Sequence, residues 1–364
     1  MSKESIVKER YSAGAKTREA ALCCPVDYNP EYLKIIPVEV IERDYGCGDP
    51  SRYVRAGETV LDLGSGTGKI CFIASQVVGK SGRVIGVDMT DDMLEVARRN
   101  APVVAERTGF ANVEFRKGRI QDLALDLEAM DAALGSKKIS SGTTFLEALD
   151  MAASLRVAQP LIASDSIDVV VSNCVLNLVD HTDRVQLFAG LYRVLKAGGR
   201  AVISDIVSND DIPDELAADA TLWSGCISGA YREDSFVDAF IEAGFHGVRI
   251  LKRDDEPWQT VAGIEFRSLT VEAWKLPEEK EEEEAEGHAV IYKGPFSYTA
   301  DDTGHTFERG AATLVPAGLW HTLRKEPYAE QFYFIDPHGT PSEQSNQRRP
   351  DPAAPCCAPD GKCC

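Results

Sequence analysis

Between residues 59 and 206 short apolar runs alternate with longer stretches in which apolar side chains recur at helical spacing. The runs at 59–63 (TVLDL), 83–87 (RVIGV), 113–116, 167–172 (IDVVVS) and 200–204 (RAVIS) read as strands covered on both faces. Helical stretches separate them, notably 91–100, opened by acidic residues and closed by Asn100, and 183–196, stopped by Gly198 and Gly199. Regular alternation of this kind predicts a doubly wound α/β fold, a parallel sheet with helices on both faces. A helix at 235–243 and strands at 247–252 and 267–274 complete the sheet at one edge.

Two regions break the alternation. Residues 123–166 carry an Ala-, Leu- and Ser-rich helical pattern where a plain sheet needs a short connection, so they read as an inserted helical excursion. The run at 278–286, EEKEEEEAE, repels itself and cannot build a core, which marks 278–288 as an acidic linker. Beyond it, 289–338 reads as a small β-rich domain and the Pro-rich 339–364 as a disordered tail containing cysteines. Ahead of the 51–206 domain lies an N-terminal segment, 1–50, whose glycines and proline around Cys47 predict a mobile loop. Residues 207–277 follow it and finish the sheet.

Charge narrows the range of partners. A formal net charge of −19 and a pI near 4.8 repel nucleic-acid phosphates and anionic lipid, which leaves a small molecule as the expected ligand. With a charged N-terminus and no long apolar stretch, the chain is expected to be soluble and cytoplasmic.

The turn after the first strand is rich in glycine: Asp62, Leu63, Gly64, Ser65, Gly66, Thr67, Gly68. Glycines there let the backbone approach a ligand, and the following helix offers oriented N–H groups. Asp88, followed by Met89, ends the next strand at the place where an acid meets ribose hydroxyls in dinucleotide folds, so an NAD-binding reading competes. The acid ahead of the glycines, and Leu195-Lys196-Ala197-Gly198-Gly199 before the fifth strand, resemble instead the Rossmann-like class I S-adenosylmethionine methyltransferases. On that reading Asp62, Gly64, Ser65, Gly66, Gly68, Asp88 and Met89 hold the cofactor. Ile120 and Gln121 approach its adenine, and Asn173 shapes the pocket.

Ten cysteines in a long α/β chain point to metal binding or catalysis rather than disulfide staples. Three adjacent pairs, Cys23-Cys24, Cys356-Cys357 and Cys363-Cys364, lie near the ends, the latter two forming either an idle thiol tract or a metalloid-capturing one. The isolated four are Cys47 in YGCGDP, Cys71 in the helix after the glycine turn, Cys174 in SNCVLNL and Cys226 in GCISG. Together these motifs resemble the arsenite methyltransferase family over about residues 30–275, and AVIYKG at 289–294 is similar to the opening of that family's C-terminal domain. The insertion and the remainder of the C-terminal domain depart from its pattern.

The resemblance implies transfer of methyl groups from S-adenosylmethionine to trivalent arsenic, giving mono-, di- and trimethylated arsenicals. Soft arsenic prefers thiolates, and its lone pair needs no general base. By the same resemblance Cys174 and Cys226 hold arsenic throughout, while Cys47 and Cys71 assist binding and supply electrons. Cys71, near a helix N-terminus, is expected to have a lowered pKa. An external thiol, thioredoxin or glutathione, would reopen the resulting disulfide. The substrates would be arsenite and methylarsenite. Two alternatives stand beside this reading: a methyltransferase for a small organic acceptor of sterol or quinone type, which the four placed cysteines oppose, and a non-catalytic metalloid-binding protein, which the glycine turn with Asp88 opposes.

Overall fold

A computed structural model describes residues 2–19, 26–276, 287–301 and 304–336. The chain divides into two compact units, residues 1–277 and 278–364. All six paired cysteines (23–24, 356–357 and 363–364) lie outside the described residues, as do the acidic run at 278–286 and the whole tail from residue 337.

The first unit opens with α1 (Lys3–Lys16), α2 (Pro30–Leu33) and α3 (Val38–Glu42). The alternating core follows as β1 (Thr59–Leu63), α4 (Lys69–Val78), β2 (Arg83–Asp88), α5 (Asp91–Thr108) and β3 (Val113–Lys117). Two helices, α6 (Leu127–Leu134) and α7 (Gly142–Ala158), occupy the insertion, in agreement with its pattern. Then come β4 (Ile167–Asn173), α8 (Arg184–Val194), β5 (Leu195–Ser208), α9 (Asp214–Ala217), α10 (Ala220–Ser224), β6 (Tyr231–Arg232), α11 (Glu233–Glu242), β7 (His246–Arg253), β8 (Gln259–Val261) and β9 (Ile264–Trp274).

The sheet runs β3-β2-β1-β4-β5-β9-β7, with the chain reversing direction across the sheet between β1 and β4. Strands β3 to β5 are parallel because helices return the chain each time, whereas β9 pairs antiparallel with β5 and β7. Val60, Leu61, Val169, Val170, Val202 and Ile203 have no measurable exposure, as expected of strands covered on both faces.

Helix α5 passes the expected stop at Asn100 and reaches Gly109, which caps it at φ +82°. Asn100 does not end the helix because its side chain bonds within and beneath it, donating to Val96 O at 2.8 Å and Glu39 Oε1 at 2.8 Å. Helix α8 ends two residues early, and Gly198 and Gly199 fall inside β5. The nine-position pairing from Arg200–Trp274 to Ser208–Phe266 lengthens that strand. Among the described residues no helix is long and apolar enough to cross a membrane.

The second unit contains β10 (Ala289–Tyr292), β11 (Tyr298–Ala300), β12 (Thr306–Glu308), β13 (Ala312–Leu314), α12 (Ala317–Leu323) and β14 (Phe332–Ile335). Strand β10 lies between β13 and β14, and Val290, Phe307, Trp320 and Phe332 close a core of its own.

Candidate active site

The glycine turn stands at the carboxyl end of β1, where open α/β sheets receive ligands. Its chain path demands positive φ at Gly64 (+66°), Gly66 (+52°) and Gly68 (+93°). A Cβ on Gly64 would lie 2.4 Å from Val175, while one on Gly66 would meet nothing within 4 Å and project into open space. Asp88 braces the turn, its carboxylate accepting from Gly66 N at 2.9 Å and Thr90 N at 2.8 Å. Burial raises its pKa against those hydrogen bonds.

Gly64, Gly66, Asp88, Met89, Ile120 and Gln121 line a cavity of about 890 Å³, counted with its solvent-open part. The open face at Gly66 and the acid that closes the second strand are compatible with S-adenosylmethionine. Ser65 and Gly68 shape the turn without lining the cavity. Asp62 and Asn173, also expected at the cofactor, do not line this cavity.

Asn173 instead grips the Cys47 loop. Its Oδ1 accepts from Cys47 N and Gly48 N, both at 3.0 Å, and its Nδ2 donates to Gly48 O at 2.8 Å. Tyr28 donates to the same carbonyl at 3.1 Å. Gly46 is required here, since a Cβ would fall 2.2 Å from the Asn173 amide. In this arrangement Cys47 is 2% exposed.

That grip carries Cys47 to the thiols of the sheet. Cys47, Cys174 and Asp205 present donor atoms within 4.8 Å of one another, all buried. Cys226 packs in the same buried cluster, its thiol donating to the Cys174 backbone carbonyl at 3.1 Å. Cys174 (φ +64°) and Cys226 (φ +62°) are two of only four non-glycine residues with positive φ among those described. Such backbone strain is held where the surroundings over-determine it, commonly at functional sites. A narrow cavity bounded by Tyr11, Tyr45, Gly46, Cys174, Cys226 and Trp258 adjoins the thiols, and Cys174, Tyr11 and Tyr45 also border the cofactor cavity. Tyr11 from α1 is hydrogen-bonded to the Cys226 thiol; enclosure of its hydroxyl, reinforced by Cys226 and Cys174, raises its pKa well above the ordinary value.

Cys71 does not join this cluster. It sits in the first turn of α4 with no measurable exposure, and its thiol donates to Asp62 Oδ2 at 3.2 Å. Burial, followed by the neighbouring Asp62 charge, raises its pKa, the reverse of the expected lowering. Loss of water and a facing carboxylate outweigh the helix N-terminus. Asp62 itself is pushed up to about 8, by burial first and by Asp44 and Asp88 as lesser contributors.

Asp205 escaped the sequence reading. Its Oδ2 accepts from Leu176 N at 2.9 Å and Asn177 N at 3.4 Å, and its Oδ1 from Ile206 N at 2.8 Å. Burial raises its pKa to about 6, opposed by those hydrogen bonds and by Arg184. The available signal was a lone acid within AVISDIV, since an unpaired carboxylate in a buried strand is uncommon.

A doubly wound sheet with a glycine turn, an acid closing the second strand and a cavity between them defines a class I S-adenosylmethionine methyltransferase. Residues 55–158 and 146–263 match the family model described as a methyltransferase domain. The chain belongs more narrowly to the arsenite methyltransferase family. It is 34% identical over 333 residues to the arsenite methyltransferase of Aquipseudomonas alcaligenes, covering 87% of this chain and 85% of that protein. The arsenite methyltransferase of Mus musculus is 32% identical over 322 residues, covering 84% and 74%. Among solved structures, the arsenic(III) S-adenosylmethionine methyltransferase of Chlamydomonas reinhardtii superposes with a TM-score of 0.56 at 27% identity, over 88% of this chain and 98% of that one. Residues 279–362 match a domain of unknown function.

Proposed function

We propose that the protein methylates trivalent arsenic held by Cys174, Cys226 and Cys47, with S-adenosylmethionine as methyl donor. The observation that carries this reading is the position of Cys174, whose residue borders both the thiol cavity and the cofactor cavity. Each thiol displaces one hydroxyl of arsenite, its proton leaving with the hydroxide as water. Thiolate ligands suit a soft centre better than oxygen. Asn173 keeps Cys47 at the third ligand position, Gly64 and Gly66 let the donor approach, and Asp88 holds the ribose. The sulfonium supplies the electrophilic methyl group. Tyr11 and Tyr45, bordering both cavities, exclude water from the path between them.

Transfer leaves arsenic pentavalent, and two thiols must each lose one electron to restore it. Cys47 is one of them, and glutathione or thioredoxin provides the partner thiol and reopens the disulfide. Cys71, engaged with Asp62, is left out of this cycle. Arsenite and methylarsenite are the substrates, and mono- and dimethylated arsenicals the first products.

The test is incubation of purified protein with arsenite, S-adenosylmethionine and glutathione, followed by chromatographic separation of arsenic species. Methylated arsenicals are expected from the wild type and none from Cys174→Ser or Cys226→Ser. No methylated product from the wild type, or wild-type turnover by folded Cys174→Ser, sinks the reading.

A further inference from the structure

Nothing in the thiol chemistry above uses Asp205, yet its carboxylate shares the pocket with the Cys47 and Cys174 thiols. It lies on β5 with no measurable exposure, at a depth where an acid without purpose is costly. Three backbone N–H groups, those of Leu176, Asn177 and Ile206, donate to it. Three backbone donors to these oxygens favour the anion. Two of the donors belong to the turn after Cys174, so the same bonds fix that turn to β5.

We propose that Asp205 is the counter-ion of arsenic during methyl transfer, a reading that rests on the arsenite activity proposed above. Arsenic bound by three thiolates is neutral. Its lone pair forms the As–C bond while the methyl–sulfur bond breaks, the bonding pair returning to sulfur. Arsenic goes from the trivalent to the pentavalent state, no proton moves, and the positive charge passes from sulfur to arsenic. A fixed carboxylate beside two of the liganding sulfurs meets that charge where it develops, in a site shielded from water. It does little for the neutral trithiolate, so its effect falls on the transition state rather than on arsenite binding.

Asp205→Asn keeps the size of the side chain and removes its charge. Removal of one preorganised electrostatic contact typically lowers turnover by about 100-fold or more, and a loss of that order is expected in single-turnover methylation with both substrates saturating. Arsenite affinity should stay within about twofold of wild type, while cadmium ion, a thiolate-binding cation, should bind at least about tenfold more weakly, the step that one lost charge contact of about 1.4 kcal/mol makes. Equal cadmium affinity and equal turnover in the two proteins overturn the proposal. Arsenite binding lost in parallel with turnover also overturns it, since Asp205 would then be a scaffold for the turn. Should Asp205→Asn not fold, Asp205→Gly prepared in formate replaces it: turnover rising with formate supports the counter-ion, and turnover indifferent to formate refutes it. Wild type that fails to methylate arsenite sinks the underlying activity, whereas the cadmium comparison still reads the charge.

Discussion

Replacing Asn173 with Ala tests whether the Cys47 loop is built into the site by a single side chain. The substitution deletes two accepted bonds, from Cys47 N and Gly48 N at 3.0 Å, and one donated to Gly48 O at 2.8 Å. At about 1 kcal/mol net for each intramolecular hydrogen bond, the loop loses about 3 kcal/mol of anchoring. Converted at about 1.4 kcal/mol per decade, its opening should become about 100-fold more frequent. Cys47 is 2% exposed in the closed loop, so a small alkylating reagent reaches it only through such opening. Iodoacetamide labelling followed by peptide mass spectrometry should therefore show Cys47 modified about 100-fold faster in Asn173→Ala, with Cys71 labelling unchanged. Arsenite affinity should fall, because one of three thiols is no longer held, while S-adenosylmethionine affinity stays near wild type. Unchanged Cys47 labelling refutes the reasoning. A folded variant that keeps arsenite affinity but loses cofactor affinity refutes it in another way, returning Asn173 to the cofactor pocket.

Asp88→Asn removes the charged acceptor at the cavity wall and should weaken S-adenosylmethionine binding by about 1.5–3 kcal/mol, read by calorimetry, with arsenite binding preserved. Cys71→Ser should retain arsenite methylation, since a hydroxyl still donates to Asp62 and the residue lies outside the thiol cluster; denaturant titration should show a stability loss of about 1 kcal/mol. Loss of turnover in that folded variant would return Cys71 to the cycle. Asp62 has a folded-state pKa of about 8 against its ordinary 3.8, so the folded state holds the proton longer. Its stabilising contribution is complete below about pH 4 and is lost as pH rises toward about 8. Asp62→Asn should therefore gain stability relative to wild type between pH 5 and pH 8, measured as urea midpoints; a constant difference across that range contradicts the assignment.

Much of the molecule is readable from local sequence. A strand covered on both faces needs only a short apolar run, and five such runs mark β1 to β5 without reference to distant residues. The glycine turn and Asp88 lie within one strand-turn-helix-strand unit, so this turn is legible from neighbouring residues, and in the structure Gly64, Gly66, Asp88, Met89, Ile120 and Gln121 line one cavity. The insertion declares itself as helical by composition. Element ends are less legible: β5 runs to Ser208 because β9 pairs along it, and that partner lies about sixty residues later in the chain.

What the sequence determined by itself was therefore the sheet, the cofactor turn and the presence of thiols suited to arsenic. The tertiary structure decided which thiols meet. Cys47 reaches Cys174 because Asn173, 126 positions later in the chain, takes its backbone N–H. Cys71 shares the family-like setting of the other three, but the helix turns its thiol toward Asp62. Asp205 enters the site only when β5 is laid beside β4 and the turn after Cys174 folds back onto it. Spacing along a chain reports which side chains share a helix face or a strand face. It carries no record of which elements will be packed against each other, and the thiol pocket is made entirely at such a junction.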